Sequence, residues 1–416
     1  MVLGMAQYSR SSLPPIPRAS RIRNSSKKPS KILDMMEPLR EITNGYLLPL
    51  NLGSPPQVIQ VYMDTGSDLT WVPCGNISFD CMECDEYRNN KLTTAAFSPS
   101  FSSSSSRDLC GSSFCNDIHS SDSDYDTCTM AGCSLATLLK STCPRPCPLF
   151  AYTYGDGGVV TGALTRDTLM VHGNSPSATR EIPKFCFGCV GSSYKEPIGI
   201  AGFGRGDAAI SSKDYLQFTP MLRSPIYPNF YYIGLEAITI GNVVSAIKVP
   251  LNLREFDSRG NGAMLIDSGT TYTQLPEPLY SQILSFLQSA ITYPRAKDVE
   301  MRSGFDLCYK VPCKNNNTFI DDLPLITFHF LNNVSLALPQ GNHFYAMGAP
   351  SESTVVKCLL FQSMDNEDDN IYGPAGVFGS FQQQNVEVVY DLEQERVGFQ
   401  PRDCAVAAAA QGQHKM

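Results

Sequence analysis

Val58-Ile59-Gln60-Val61-Tyr62-Met63-Asp64-Thr65-Gly66-Ser67 and Ala263-Met264-Leu265-Ile266-Asp267-Ser268-Gly269-Thr270 share one pattern. Each is an apolar run that ends in Asp-Thr/Ser-Gly and then a hydroxyl residue. Apolar runs of this length, bounded by turn residues, read as strands. Asp and Gly are turn formers, so each stretch predicts a strand entering a tight turn with a carboxylate at the corner. One copy is an ordinary turn. Two copies predict two structural halves with one corner each. Downstream of each lies an apolar-apolar-Gly element, Ile198-Gly199-Ile200-Ala201-Gly202 and Gly376-Val377-Phe378-Gly379, whose glycine lets another segment pass close by.

Working outward, the pattern stays β-rich. Tyr46–Leu52, Gly53-Ser54-Pro55-Pro56 and Val58–Met63 read as strand, turn, strand. Leu149–Tyr154 followed by Gly155-Asp156-Gly157-Gly158 is a hairpin signal. Further strands are expected at 159–171, 183–190, 230–240, 244–250, 263–266, 325–330, 334–338, 355–361 and 386–390. The best helix runs from Pro278 to Ala290, with Leu279, Ile283, Leu284 and Leu287 as its apolar stripe. The fold class expected is all-β with few short helices.

The 416 residues carry a formal net charge of −8, an unfavourable balance for a surface that neutralises nucleic-acid phosphates. Residues 1–45 hold eight basic and three acidic residues and read as a mobile leader or a remnant of a pro-segment. The remainder is strongly acidic. No apolar stretch approaches the ~20 residues of a membrane span. The amino end has no usable signal h-region, so either the true start lies upstream or the Ser/Arg-rich leader is a plastid transit peptide.

Fifteen cysteines, eleven of them between Cys74 and Cys189, point to disulfides and an oxidising compartment. The secretory pathway is therefore expected, with the cell wall, the extracellular space or the vacuole as destination. The odd total leaves at least one thiol without an intrachain partner. Cys81/Cys84, Cys143/Cys147 and Cys186/Cys189 could instead suggest zinc, but the spacings are irregular and no histidine completes a C-x-x-C…H-x-x-x-H pattern. Residues 76–148 read as a loop-like, disulfide-stapled insertion. Asn24, Asn76, Asn316 and Asn333 begin glycosylation sequons.

Two carboxyl groups a few Å apart cannot both ionise, so such a pair shares a proton over an acidic range and can act as acid and base together. That chemistry calls for no metal or cofactor. Gly66 and Gly269 would let backbone N–H groups approach the carboxylates, and the hydroxyls of Ser67 and Thr270 would orient their outer oxygens.

These features resemble the pepsin-like aspartic proteases, specifically the cysteine-rich plant group typified by nepenthesin. The matching segments are Asp64–Trp71, Tyr154–Gly157, Phe187–Cys189, Gly202–Gly206, Ile266–Thr271 and Gly379–Asn385 with Val388–Leu392. The resemblance implies a bilobal fold with a cleft between an N-terminal lobe, 46–220, and a C-terminal lobe, 221–404, followed by a tail, 405–416. It makes Asp64 and Asp267 the catalytic pair and Thr65 and Ser268 the residues that tie the corners together. It makes Tyr154, with Gly155 and Asp156, the flap over the substrate cleft, and Trp71 its support.

The expected function is hydrolysis of peptide bonds at acidic pH by a monomer acting on polypeptides. The alternative is a weakly active or inactive homologue that binds and inhibits cell-wall glycosidases. A non-functional truncated product is a third reading. The chain departs from the family after Gly206, where only eleven residues, Asp207–Gln217, precede the segment like Phe218–Leu222. A helix and a cysteine-bearing strand are expected there, so a shortened form with impaired folding and an unpartnered cysteine follows.

Overall fold

The computed structural model describes residues 40–42, 45–81, 95–120, 126–172, 179–204, 216–241, 247–314, 318–319, 323–347, 354–364 and 373–401. Most of the shortened stretch after Gly206, together with Asn24 and Asn316, lies outside these residues. Asn76 and Asn333 are both exposed.

The chain folds as two β-sheet lobes. In the first, Gln57–Asp64 pairs antiparallel with Gly45–Leu52 and parallel with Gly199–Gly202, which places Asp64 opposite Gly202. Gly199–Gly202 also meets Trp71 at Ile200, and Trp71–Asp80 runs parallel to Arg180–Tyr194. In the second lobe, Met264–Ile266 runs parallel to Gly376–Phe378, with Ile266 opposite Phe378, and Thr273–Pro276 pairs antiparallel with that strand. The same device therefore occurs twice: a corner strand, the strand that leaves the corner, and a later strand threaded between them.

The threading needs glycine. A Cβ on Gly202 would lie 2.8 Å from the Asp68 carbonyl carbon, and one on Gly379 would lie 2.6 Å from that of Tyr272. Neither neighbour is a side chain that could move aside. A three-stranded sheet joins Gln217–Pro220 to Arg396–Pro401 and then to Val386–Asp391. Chain just past the middle is thereby tied to the C-terminal strands.

The second lobe holds a large aromatic core in which Phe328, Phe330, Phe378 and Phe399 pack ring to ring at centroid distances of 5.3–6.3 Å. Truncating one such ring to alanine typically removes about 3–5 kcal/mol. The expected helix forms at Leu279–Ala290 and buries Leu279, Tyr280, Ile283 and Leu287. Leu284, placed on the apolar stripe from sequence, is only half buried. Tyr280 is buried instead, and its hydroxyl donates to Asp306 at 2.8 Å. A second helix, Lys297–Ser303, has no buried residue. That absence of an apolar stripe explains why periodicity did not reveal it.

The insertion differs from a plain loop. The strand Trp71–Asp80 runs into it, and it carries three short helices, Ser113–Ile118, Thr127–Met130 and Leu135–Leu139. Disulfides Cys110–Cys128, Cys115–Cys147 and Cys133–Cys143 hold them, and Cys74–Cys189 and Cys308–Cys358 staple the sheets. Two of the adjacent pairs read from sequence as zinc candidates are split: Cys143 joins Cys133 and Cys147 joins Cys115, while Cys189 joins Cys74 and leaves Cys186; Cys84 of the third pair lies outside the described residues. Among the described residues Cys186 is the free thiol. Burial and the neighbouring Asp108 carboxylate push it up to about 12, which leaves it a poor nucleophile.

Candidate active site

The two corner strands deliver Asp64 and Asp267 to one place. Their carboxyl groups lie close enough that a Cβ built on Gly269 would touch both, Asp64 Oδ1 at 2.3 Å and Asp267 Oδ1 at 3.1 Å, and both side chains are buried, at 4% and 0% exposure. How closely the corners meet is clear from the glycines. A Cβ on Gly66 would lie 2.5 Å from the Asp267 carboxyl, and one on Gly269 would lie 2.3 Å from Asp64 Oδ1. Only a residue without a side chain fits either position.

Each carboxylate has a matching set of donors. Gly66 N–H donates to Asp64 Oδ1 at 2.8 Å, and Ser67 Oγ donates to Oδ2 at 2.5 Å. Gly269 N–H donates to Asp267 Oδ1 at 2.7 Å, and Thr270 Oγ1 donates to Oδ2 at 2.6 Å. The middle residues cross between lobes. Thr65 N–H donates to Ser268 Oγ at 3.1 Å, while Ser268 N–H donates to Thr65 Oγ1 at 2.9 Å. Each hydroxyl in turn donates to a main-chain carbonyl of the opposite strand, Thr65 to Ile266 at 3.2 Å and Ser268 to Met63 at 3.0 Å. The hydroxyls are donor and acceptor at once, which is why Thr and Ser serve there.

Burial raises the Asp64 carboxyl above its ordinary range, against the pull of its Ser67 and Gly66 hydrogen bonds. Burial, followed by the Asp64 charge, raises Asp267 much further. Both carboxyls are thus pushed toward the protonated form, as expected when two acids occupy one desolvated site and the pair, not either residue, holds the proton.

The hairpin turn that follows Phe150–Thr153 brings Tyr154 within electrostatic range of Asp64. Tyr154 N–H donates to the Gly158 carbonyl at 2.8 Å, and Gly157 N–H donates to the Tyr154 carbonyl at 3.0 Å. Gly157 takes φ 82°, a left-handed backbone that favours glycine. Asp156 Oδ1 accepts from Gly158 N–H at 2.8 Å and closes the turn. The Tyr154 hydroxyl accepts from Trp71 Nε1–H at 2.7 Å, with Trp71 fully buried. Gly155, at the exposed tip, adds no side chain.

Two further groups escaped sequence reasoning. Asp68 is braced by the Tyr152 hydroxyl at 3.2 Å and by Asn229 Nδ2 at 3.1 Å, so residues distant in sequence stiffen the exit from the first corner. Glu196 is 5% exposed and lies under the hairpin, its Oε1 2.4 Å from where a Gly158 Cβ would be. The one sequence hint is the additional glycine of Gly157-Gly158.

Known proteins agree with this architecture. Residues 46–219 match the family described as Xylanase inhibitor N-terminal, and residues 230–401 match Xylanase inhibitor C-terminal. A probable aspartyl protease of Arabidopsis thaliana is 31% identical over 87% of this chain and 83% of its own length. Aspartic proteinase nepenthesin-1 of Nepenthes gracilis is 28% identical over 87% of this chain and 78% of its own. Among solved structures, conglutin gamma from lupine seeds is similar in fold, with a TM-score of 0.59 and 16% identity over 90% of this chain and 96% of that one. The chain belongs to the pepsin-like aspartyl protease family, in the plant group that includes the nepenthesins.

Proposed function

We propose that this chain is an acid endopeptidase that hydrolyses peptide bonds with the Asp64–Asp267 pair. The observation that carries the reading is the close approach of two buried carboxyls, each held by a backbone N–H and a hydroxyl. In the reaction, ionised Asp64 removes a proton from water as the water oxygen bonds to the peptide carbonyl carbon. Protonated Asp267 gives its proton to the carbonyl oxygen, and an uncharged tetrahedral diol forms. On collapse, a diol hydroxyl returns its proton to Asp267. Asp64 delivers its proton to the nitrogen as the C–N bond breaks, leaving an acid and an amine. Tyr154 and Asp156 close the hairpin over bound peptide, with Trp71 as the fixed support. The disulfides and the plant relatives support a place in the secretory pathway.

The test is hydrolysis of casein or haemoglobin by the purified protein at acidic pH. Cleavage should be blocked by a statine-type transition-state mimic and absent from Asp64→Asn. Equal activity in that variant would remove the proposal.

A second reading, capture of cell-wall glycosidases without proteolysis, is favoured by the descriptions of the two matching family halves. Tight retention of a xylanase by a catalytically silent, folded wild-type chain would select it.

A further inference from the structure

Beneath the hairpin lies a carboxyl that the proton-sharing pair does not use. Glu196 sits in the connection between the strands Arg180–Tyr194 and Gly199–Gly202. Lys195 takes φ 68°, and the Ser193 hydroxyl donates to the Glu196 carbonyl at 2.5 Å. This reversed, pinned backbone turns the Glu196 side chain inward. Across the hairpin, Tyr154 and Gly158 are directly paired, so their side-chain directions share one face. The Tyr154 ring points in, toward Trp71. A Gly158 side chain would point in as well, and Glu196 Oε1 fills that place. The carboxyl therefore lies beside Tyr154 on the under-surface of the hairpin.

The groups facing it are mostly negative. They are Asp156 of the hairpin, Asp64 of the corner and Lys195 next in sequence, with the Tyr154 hydroxyl also within range of its charge. The Lys195 ammonium donates to the Asp156 carbonyl at 3.0 Å. Among the described residues no hydrogen bond reaches the Glu196 carboxyl itself. A largely buried acid among negative neighbours is unfavourable in its ionised form, and a ligand that brings a donor and a positive charge relieves it.

We propose that Glu196 is a specificity-determining residue that receives a basic substrate side chain, lysine or arginine, entering beneath the hairpin beside Tyr154. This deepens the protease reading and rests on it. An apolar residue of equal length leaves the acid unpaired, so the cleft discriminates against it. Burial, then Asp156 and Asp64, push the empty carboxyl up to about 8. A bound cation favours the ionised form, so lysine binding releases a proton and the preference strengthens as pH rises.

The experiment uses the full chain and peptide pairs that differ only in lysine against norleucine, scanned through the positions flanking the scissile bond. At one position, wild type should prefer lysine by about tenfold or more in kcat/KM, with a larger ratio at pH 6 than at pH 4. Glu196→Gln should bring the ratio to within about twofold, with Trp71 fluorescence reporting an intact fold. A ratio unchanged by Glu196→Gln, or no position at which wild type favours lysine, would overturn the proposal. The same pairs, made as uncleavable reduced-amide peptides, are measured by calorimetry. Lysine-selective binding without turnover of the cleavable peptides would retire the protease reading and keep Glu196 in its role. Binding indifferent to lysine would overturn the role.

Discussion

The two acidic corners are built alike and behave differently. Each presents a carboxylate to one glycine N–H and one hydroxyl, at distances between 2.5 and 2.8 Å. Each strand exits past a glycine-threaded neighbour. Yet Asp267, fully buried, is raised well above the ordinary carboxylate range, largely by burial and then by the Asp64 charge, while Asp64 is raised less. Local design sets the donors, and burial with mutual repulsion in a dry site keeps the two carboxyls from ionising together.

Neutralising one corner should have the largest effect. Asp267→Asn keeps the shape but lacks a transferable acid proton, so peptide hydrolysis should fall by about 10³-fold or more. Steady-state kinetics would check it, and a loss below tenfold would break the assignment. Gly269→Ala comes next. Its methyl would meet Asp64 Oδ1 at 2.3 Å, forcing the carboxyls apart and lowering kcat/KM by about 10²-fold or more. Gly66→Ala should do the same from the other side.

The cross-lobe hydroxyls sharpen the comparison further. Ser268→Ala and Thr65→Ala each strand a buried backbone N–H of the opposite corner, and each should remove about 1–3 kcal/mol of stability. Chemical unfolding of both variants should give similar losses, because the two sets of bonds mirror each other. A large asymmetry would show that one corner is held by other means.

The smallest effect expected is a pH dependence of stability. Asp64, Asp267 and Glu196 all have folded-state values raised above the ordinary range. Raised acids bind more protons folded than unfolded. The stability they contribute is therefore complete below about pH 4 and is lost as pH climbs toward about 8, the Glu196 value. Melting temperature should fall by several degrees over that window, and Glu196→Gln should flatten the upper part of the decline.

The corners were legible because everything they need lies within four consecutive residues: strand, carboxylate, glycine and hydroxyl. The threading glycines Gly202 and Gly379 were legible for the same reason, as short apolar elements ending in Gly. Glu196 was not legible. It reaches Gly158 only because Tyr194 pairs with Val159 in the sheet, a register that no local pattern encodes. The helices of the insertion were missed because disulfides and side-chain caps organise them. Asp126, for example, accepts from the Cys128 and Thr129 N–H groups at 3.0 and 2.9 Å, and no apolar stripe announces the turn. The pairing of Cys143 with Cys133 rather than with Cys147 is likewise a property of the folded chain.

The most direct test of the shared proton is the pH profile of kcat/KM for one peptide. A pair that works with one carboxyl ionised and one protonated gives a bell with its maximum at acidic pH, falling on the acid side as the pair gains a second proton and on the alkaline side as it loses its remaining one. A rate that climbs steadily through neutrality, or the same bell in Asp267→Asn, would contradict it.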